Sequence, residues 1–396
     1  MAENNRNASA PEAFDTKALR AWTEVDCSKI EHNVKEIQKL VGATKIMGIV
    51  KADAYGHGAV ACAKALEKAG IDFFGVACLD EALELRKAGI EEPILILGYT
   101  PPAAFDKLVE YDLVQSLLSQ EFAQKLSDYA VQNAVTIRGH VKADTGMNRT
   151  GVLYQDGAKD YEGIKAIYQM PNLSVEGIFS HFPISDDLGF ESREFTRHQI
   201  ELFEELCRRL KKDGIDPGLR HIQNSYGILN YKDLGMDYCR PGLLYMGVTS
   251  DDEIPIASSP DFEPILALKA KVTLVKTIPA GSSVSYGRHY RVSEPRKIAS
   301  LSIGYADGLF RAVSNKDLMV SIRGHLVPLV GNICMDQCMA DITGYDDIAE
   351  GDTAVLIGQD GANTVTADAI SRKAGTINNE TLSTLSKRLS RLYRGV

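Results

Sequence analysis

The sequence predicts an α/β plus β protein: an N-terminal (β/α)8 TIM barrel followed by a smaller, mainly β domain. Three observations carry that expectation. The chain has 396 residues, a length that suits two domains. Between residues 25 and 245, eight short apolar runs alternate with amphipathic stretches, the repeat and size of a (β/α)8 barrel. After DDEIPIASSPDFEP (251–264), a linker rich in Pro, Ser and acid, alternating β-type runs take over, separated by Gly and Pro turns. A doubly wound open sheet is the alternative for the first part. The expected bounds are an N-terminal extension at 1–19, a barrel at 20–255 and a β-domain at 256–396.

The barrel strands are expected at IMGIV (46–50), FFGVA (73–77), PILIL (93–97), LVQSL (113–117), VTIRGHV (135–141), VEGIF (175–179), LRHIQ (219–223) and MDYCR (236–240). Helical patterns separate most of them, such as AVACAKALEKAG (59–70) and REFTRHQIELFEELCRRLKKDG (193–214). In the second domain the β-type runs are LALKAKVTLVKTI (266–278), RKIASLSI (296–303), LMVSIRGHLVPLV (318–330) and TAVLIG (353–358). Two helical stretches close the chain, TADAISRKAG (366–375) and ETLSTLSKRLSRLY (380–393).

Composition excludes several functions. The net charge of −9 gives no general pull toward nucleic acid or anionic lipid. Seven scattered cysteines form no CxxC pair, which favours reduced thiols over a disulfide framework or zinc site. No apolar run reaches ~18 residues, and the polar N-terminus lacks the apolar segment of a signal peptide. A cytoplasmic location is expected; a domain cut from a membrane-anchored protein is the alternative. The eight histidines make no HxxxH or HxH set, so no metal site is expected. GxSxG, P-loop and GxGxxG motifs are absent.

Barrel active sites lie at the C-terminal ends of the strands. Lys51 follows the first run; Lys142, Asp144 and Arg149 follow the fifth; His181 the sixth; Asn224 and Ser225 the seventh; Arg240 the eighth. A lysine there is partly desolvated, which lowers its pKa and makes it nucleophilic toward an aldehyde. The plainer reading is a rim lysine with its stem on the barrel. Gly56 and Gly58, beside Tyr55 and His57, suggest a backbone kept close to a ligand. The loops after strands seven and eight, with Pro241-Gly242, suit a phosphate; turn glycine and an ordinary helix cap are the plainer account. In the second domain Tyr286 (VSYGRHY) and Tyr305 (SIGYADGLFR) lie beside glycines. Each reads either as a general acid or base or as a packed interface residue.

Taken together, VKADAYGHG, KADTGMNRTG, the Asn224-Ser225 pair, RPGLLYMG, VSYG, GYADG and CMDQ resemble the alanine racemase family in motif and order, from WTEVD (22–26) to RLYRG (391–395). That resemblance implies a pyridoxal-phosphate enzyme of fold type III, working as a homodimer whose active sites join one subunit's barrel mouth to its partner's β-domain. It implies that Lys51 carries the cofactor and is the base on one face of the substrate α-carbon, with the partner subunit's Tyr286 on the other. Arg240 faces the pyridine nitrogen. His181 and Arg149 orient Tyr286 and hold its pKa down. Tyr55, Ser225, Gly242 and Leu243 hold the phosphate, with Asn224 close by. The Met335 backbone helps bind the substrate carboxylate, and Tyr305, Arg311 and Asp336 line the access corridor. Lys142 matches a lysine that is often carbamylated.

The departures bear on substrate. Most alanine racemases have a tyrosine before the glutamate near the C-terminus; TINNE (376–380) has Asn379. The shorter amide leaves room for a hydroxymethyl group, as in the serine/alanine racemases linked to vancomycin resistance, which make D-serine for peptidoglycan precursors. A housekeeping alanine racemase is the alternative. An amino-acid decarboxylase, with Cys334 as its catalytic cysteine, and a non-catalytic pyridoxal-phosphate carrier are more remote. Tyr226 replaces a small residue and is expected to refill space near the cofactor. Asn332 replaces a common arginine and is expected to lower the positive charge of the corridor. HFPISDD (181–187) departs from the usual HFA.

Overall fold

The computed structural model describes residues 14–396. Most of the expected N-terminal extension, residues 1–13, lies outside the described residues. The chain divides into two compact units. One holds residues 25–266, 366–386 and 393–396; the other holds residues 14–24, 267–365 and 387–392.

The first unit is a parallel barrel. Its strands are Lys45–Ile46 with Gly48–Ile49, Phe74–Val76, Ile94–Ile96, Val114–Leu117, Ile137–Asp144, Leu173–Phe179, Leu219–His221 and Tyr238–Cys239. Each falls within or across one of the eight expected runs. Closure depends on the first strand, whose two halves pair with opposite neighbours. Met47 donates its N–H to the Cys239 carbonyl at 2.8 Å, and Gly48 donates to Phe73 at 2.9 Å. Met47, Ile49, Phe73, Leu95, Val114 and Tyr238 fill part of the interior. Three of the helices between strands are capped by the side chain just before them: Ser119 for Gln120–Gln132, Asp160 for Tyr161–Tyr168 and Asn224 for Ser225–Tyr231. The long helix Phe190–Lys212 buries Thr196, Gln199, Phe203, Leu206 and Leu210, one face at helical spacing.

In the second unit, Leu266–Ile278 is the central strand. Its first half pairs with Thr353–Asp360 and its second half with Arg296–Leu301, both antiparallel. Through Cys338–Asp341, His325–Val330 and Met319–Ile322 the sheet returns to Thr353–Asp360 and closes. Ala21–Asp26 and Ser390–Arg394 extend this sheet from the central strand. Arg20 makes two hydrogen bonds to the Asp307 carboxylate, at 2.5 and 3.0 Å. Burial pushes the Asp307 carboxyl up, but the Arg20 bonds and the Gly304 N–H outweigh it and hold it below the usual carboxylate range.

Three expectations are corrected here. Residues 20–24 were expected in the barrel and instead lie in the second unit. Residues 256–266, 366–386 and 393–396 were expected in the β-domain and instead pack with the barrel. The helix expected over 380–393 stops at Ser383, and Ser390–Arg394 is an edge strand. Leu382, Leu385, Leu389 and Leu392 carry a helical spacing, but backbone pairing with Ala21–Asp26 overrides that local pattern.

Arg20→Ala leaves a fully buried carboxylate with the Gly304 N–H at 3.1 Å and, as its remaining cation, Arg388 at 3.6 Å. The variant is expected to lose about 2–4 kcal/mol of stability in that unit. Trp22 is the only tryptophan and lies buried in the same unit, so its fluorescence during urea unfolding reads the change directly.

Candidate active site

The chain leaves the first barrel strand at Val50 and turns the wrong way. Ala52, Asp53, Ala54 and Tyr55 all have φ near +50°, a left-handed turn made of non-glycine residues. Each such residue costs about 1–2 kcal/mol, so the turn persists only where its surroundings hold it. Asp53 accepts from the Ala59 N–H at 2.9 Å. His57 is buried and its Nδ1 sits 3.0 Å from the Ala54 and Tyr55 carbonyls. Gly56 and Gly58 have φ of +81° and +100°. A Cβ on Gly56 would lie 2.0 Å from the Leu382 carbonyl oxygen, and one on Gly58 would lie 1.9 Å from the Tyr393 hydroxyl. These glycines were expected to bring backbone close to a ligand; they bring it close to the chain's own C-terminal segments.

Above this turn the barrel mouth encloses a cavity of about 230 Å³. Lys51, Tyr55, Lys142, Arg149, His181, Asn224, Ser225, Tyr226, Arg240, Gly242 and Asn379 line it. Leu243 does not line it; it is buried at the start of the 3-10 helix Leu243–Met246. Sequence reasoning missed Ile49, Leu97, Phe179 and Ser250, which also line the wall. The first three are apolar strand-end residues that no polar motif marks, and Ser250 looked like the edge of the linker.

The cavity is electropositive: four lining residues are cationic and none is a carboxylate. Burial, then Arg149 and Arg240, lower the Lys51 pKa, with Glu81 opposing. Burial and the same two arginines push Lys142 down to about 8; its amine donates to Thr150 Oγ1 at 2.6 Å. Burial and Arg240 push His181 well below the usual range, so it is neutral. Arg240 is itself buried, which pushes it down to about 9. It donates through Nη1 to His221 Nδ1 at 2.6 Å and through Nη2 to the Ser180 carbonyl at 2.6 Å and the Ile222 carbonyl at 3.1 Å. Because arginine only donates, His221 must carry its proton on Nε2, which donates to His140 Nδ1 at 2.9 Å. The proton of His140 is then on Nε2, a buried atom with no partner. Burial lowers both imidazoles, His140 to about 3.

At the opposite wall, Ser225 Oγ accepts from the Gly242 N–H at 3.0 Å. A Cβ on Gly242 would lie 2.6 Å from the Tyr55 hydroxyl, so only glycine lets that phenol in. Asn224 is occupied with structure. It accepts from Gly227 and Ser185, and donates to the Phe182 carbonyl at 3.1 Å. The unusual HFPISDD segment thus braces Asn224 through Phe182 and Ser185. Tyr226 lines the wall as expected, its hydroxyl 3.3 Å from the Asp251 carbonyl. Asn378 holds the next residue in place, since its N–H donates to the Ser250 carbonyl at 2.8 Å and its amide to Thr249 and Asp368. Asn379 follows, with a buried Oδ1 that has no partner.

In the second unit three motifs are tied into one cluster. Tyr286 is 73% exposed and sits between Ser285 at φ +65° and Gly287 at φ +77°. Ser285 Oγ donates to the Asn332 carbonyl at 2.5 Å, and Asn332 Nδ2 donates to the Tyr286 carbonyl at 2.7 Å. Beyond the lower charge expected of it, Asn332 braces the Tyr286 backbone. Tyr305 and Ala306 donate their N–H groups to the Cys334 and Met335 carbonyls, each at 3.0 Å. Tyr305 and Met335 are exposed beside one another; Arg311 is exposed, and Asp336 accepts from Arg388 at 2.7 Å. None of these residues is among those lining the cavity.

The cavity residues fit pyridoxal 5'-phosphate. The lysine is desolvated, four cations face an anion, and Tyr55, Ser225 and the Gly242 backbone offer polar contacts on one wall. Residues 25–250 match the family described as alanine racemase, N-terminal domain, and residues 265–393 match alanine racemase, C-terminal domain. Alanine racemase 1 of Clostridium acetobutylicum is 39% identical over 375 residues, 94% of this chain and 95% of that one. An amino-acid racemase of Enterococcus faecalis is 40% identical over 371 residues, 93% of this chain and 51% of its own length. The structure of alanine racemase from Clostridium difficile 630 superposes with a TM-score of 0.87 at 35% identity, covering 95% of this chain and 96% of that one. The chain therefore belongs to the alanine racemase family of pyridoxal-phosphate enzymes.

Proposed function

We propose that this protein is a two-base racemase that interconverts the L- and D-enantiomers of alanine and serine, supplying D-amino acids for peptidoglycan precursors. The observation that carries the chemistry is Lys51: a desolvated amine, held on a strained turn, in a cavity whose charges are all positive. When bound, the cofactor withdraws electrons from the substrate α-carbon and so acidifies its proton. Lys51 carries the cofactor and serves one face of that carbon. Tyr286 of the partner subunit serves the other, in a homodimer with shared active sites. Opposed bases are what inversion requires, because one takes the proton and the other returns it from behind.

Arg240 faces the ring nitrogen. It keeps its proton, and the His221 and His140 behind it are neutral, so this chain of groups delivers no proton to the ring. Arg240 would thereby leave a bound cofactor's ring largely unprotonated, which would limit side reactions. Tyr55, Ser225 and Gly242 hold the phosphate, with Asn224 positioning the Ser225 turn and Leu243 packed behind Gly242 rather than at the ligand. His181 and Arg149 orient the incoming Tyr286, and Arg149 with the backbone of the partner subunit's Met335 binds the substrate carboxylate. Tyr305, Arg311 and Asp336 line the access corridor. A Lys142 pKa of about 8 leaves part of its amine neutral near physiological pH, the form that carbon dioxide converts to a carbamate. That carbamate would brace Arg149.

Serine is the finer part of the proposal, and Asn379 supports it. Asn379 lines the cavity and its buried Oδ1 has no partner; turned toward the cavity, that amide would accept from the hydroxyl of a serine substrate. A housekeeping alanine racemase is the second reading, favoured by the names of the relatives.

Three outcomes follow. Lys51→Ala is expected to abolish the visible absorbance band of the bound cofactor; a retained band refutes the assignment. With Tyr286→Phe, cofactor stays bound while racemisation falls by a factor on the order of 10² or more, and solvent deuterium washes into one enantiomer only. Unchanged turnover in both directions refutes its role. In the wild type, kcat/KM for L-serine is expected to match that for L-alanine within about tenfold, and Asn379→Tyr to depress serine selectively by about tenfold or more. Activity confined to alanine establishes the housekeeping reading.

A further inference from the structure

The turn after Lys51 has one more anchor, which neither the motifs nor the cavity lining marks. The Ala52 N–H, on the first peptide after Lys51, donates to Glu81 Oε1 at 2.7 Å. The Ala77 N–H, just beyond the strand Phe74–Val76, donates to Glu81 Oε2 at 2.7 Å. Glu81 lies in the first turn of the helix Leu79–Lys87. A carboxylate there ordinarily faces the positive end of the helix and reaches back to an N–H ahead of it. The Ala77 bond is of that ordinary kind. The Ala52 bond is not, because Ala52 belongs to a different βα loop. A single carboxylate therefore ties together the ends of two neighbouring barrel strands, and it does so at the residue where the chain becomes left-handed.

We propose that Glu81 is a positioning residue for Lys51: by holding the Ala52 peptide it fixes the left-handed turn, and with it the direction from which the Lys51 amine enters the cavity. The proposal rests on the reading of Lys51 as the cofactor-bearing lysine. It also has an electrostatic side. The groups facing Lys51 are Arg149 and Lys142 from the fifth strand and its loop, neutral His181 after the sixth strand, Arg240 after the eighth, the Tyr55 phenol and Glu81. Of the charges that act on the amine, Arg149 and Arg240 disfavour its protonated form and Glu81 favours it. Removing that negative charge moves the amine's titration to lower pH.

The test is capture of pyridoxal 5'-phosphate by the apoprotein, followed by visible absorbance across pH, with Tm measured in parallel. Capture needs the neutral amine. In Glu81→Gln one of the two N–H bonds is lost together with the charge. Its capture profile is expected to shift to lower pH, and its limiting rate to fall by a factor on the order of ten. Glu81→Asp keeps the charge and shortens the reach, so the profile stays at the wild-type pH while the limiting rate still falls. Asp160→Ala removes an unrelated cap, that of Tyr161–Tyr168; it is expected to lower Tm and leave the capture profile alone. A Glu81→Gln protein with the wild-type profile and rate overturns the proposal, as does one whose only change is a Tm loss like that of Asp160→Ala. Should Glu81→Gln fail to fold, wild-type capture by Glu81→Asp overturns it equally. Lys51→Ala separates the two readings: if that variant still forms the band, the cofactor lysine is misassigned, and the Glu81 variants are not what failed. Capture by Lys51 without racemase turnover leaves the Glu81 result standing.

Discussion

The barrel unit depends on one peptide, that between Met47 and Gly48. On one side of it the first strand is hydrogen-bonded to the last, and on the other side to the second. That handover closes the parallel sheet, leaves no open edge and delivers Val50 and Lys51 to the mouth. The left-handed turn follows within two residues. Its conformational cost is met by contacts distant in sequence: Glu81 from the next βα unit, and Leu382 and Tyr393 against the two glycines. The C-terminal segments packing with the barrel are therefore part of what holds the reactive lysine.

The second constraint is uncompensated positive charge. Arg240 is buried, yet its acceptors are two carbonyl oxygens and two neutral imidazoles, His221 and His181. They satisfy its donors without cancelling its charge. Lys142 is likewise bonded to a hydroxyl, and no carboxylate lines the cavity. Burial first, and then repulsion among these cations, lowers the lysines. An anionic ligand with a carbonyl partner for Lys51 relieves both terms at once, so binding and folding are linked: a ligand that binds only the folded state raises stability in proportion to the logarithm of its concentration over Kd.

Much of this was legible in the sequence because it follows local rules. The eight barrel strands were bounded by turn residues and had no competing period, and the polar residues just after them did converge, except Asp144, whose carboxylate instead accepts from the Gly146 and Asn148 N–H groups. What was not legible depends on contacts between distant segments. Gly56 and Gly58 looked like ligand-approach glycines, since nothing local announces Leu382 or Tyr393. Asn332 looked like a charge substitution, since its bond to the Tyr286 carbonyl joins positions 46 residues apart. Leu389 and Leu392 looked helical, since an edge strand's partner at Ala21–Asp26 lies at the other end of the sequence. Asn379 was singled out in the sequence and does line the cavity, but its place there comes from Asn378 bonding to Thr249 and Ser250.

The two residues proposed as opposed bases share a backbone feature that no side-chain motif encodes. Lys51 opens a run of four left-handed residues, and Tyr286 stands between left-handed Ser285 and Gly287, with Arg288 also left-handed. Such conformations persist only where neighbouring structure over-determines them. For Lys51 the neighbours are Asp53, His57 and Glu81; for Tyr286 they are the hydrogen bonds between Ser285, Asn332 and Asn315. A side chain carried on a stiff, strained turn has fewer directions open to it than one on a relaxed loop, and proton transfer falls steeply with misplacement. The strain is thus consistent with the chemistry proposed at both positions: each turn gives up local stability and in return aims one reactive atom.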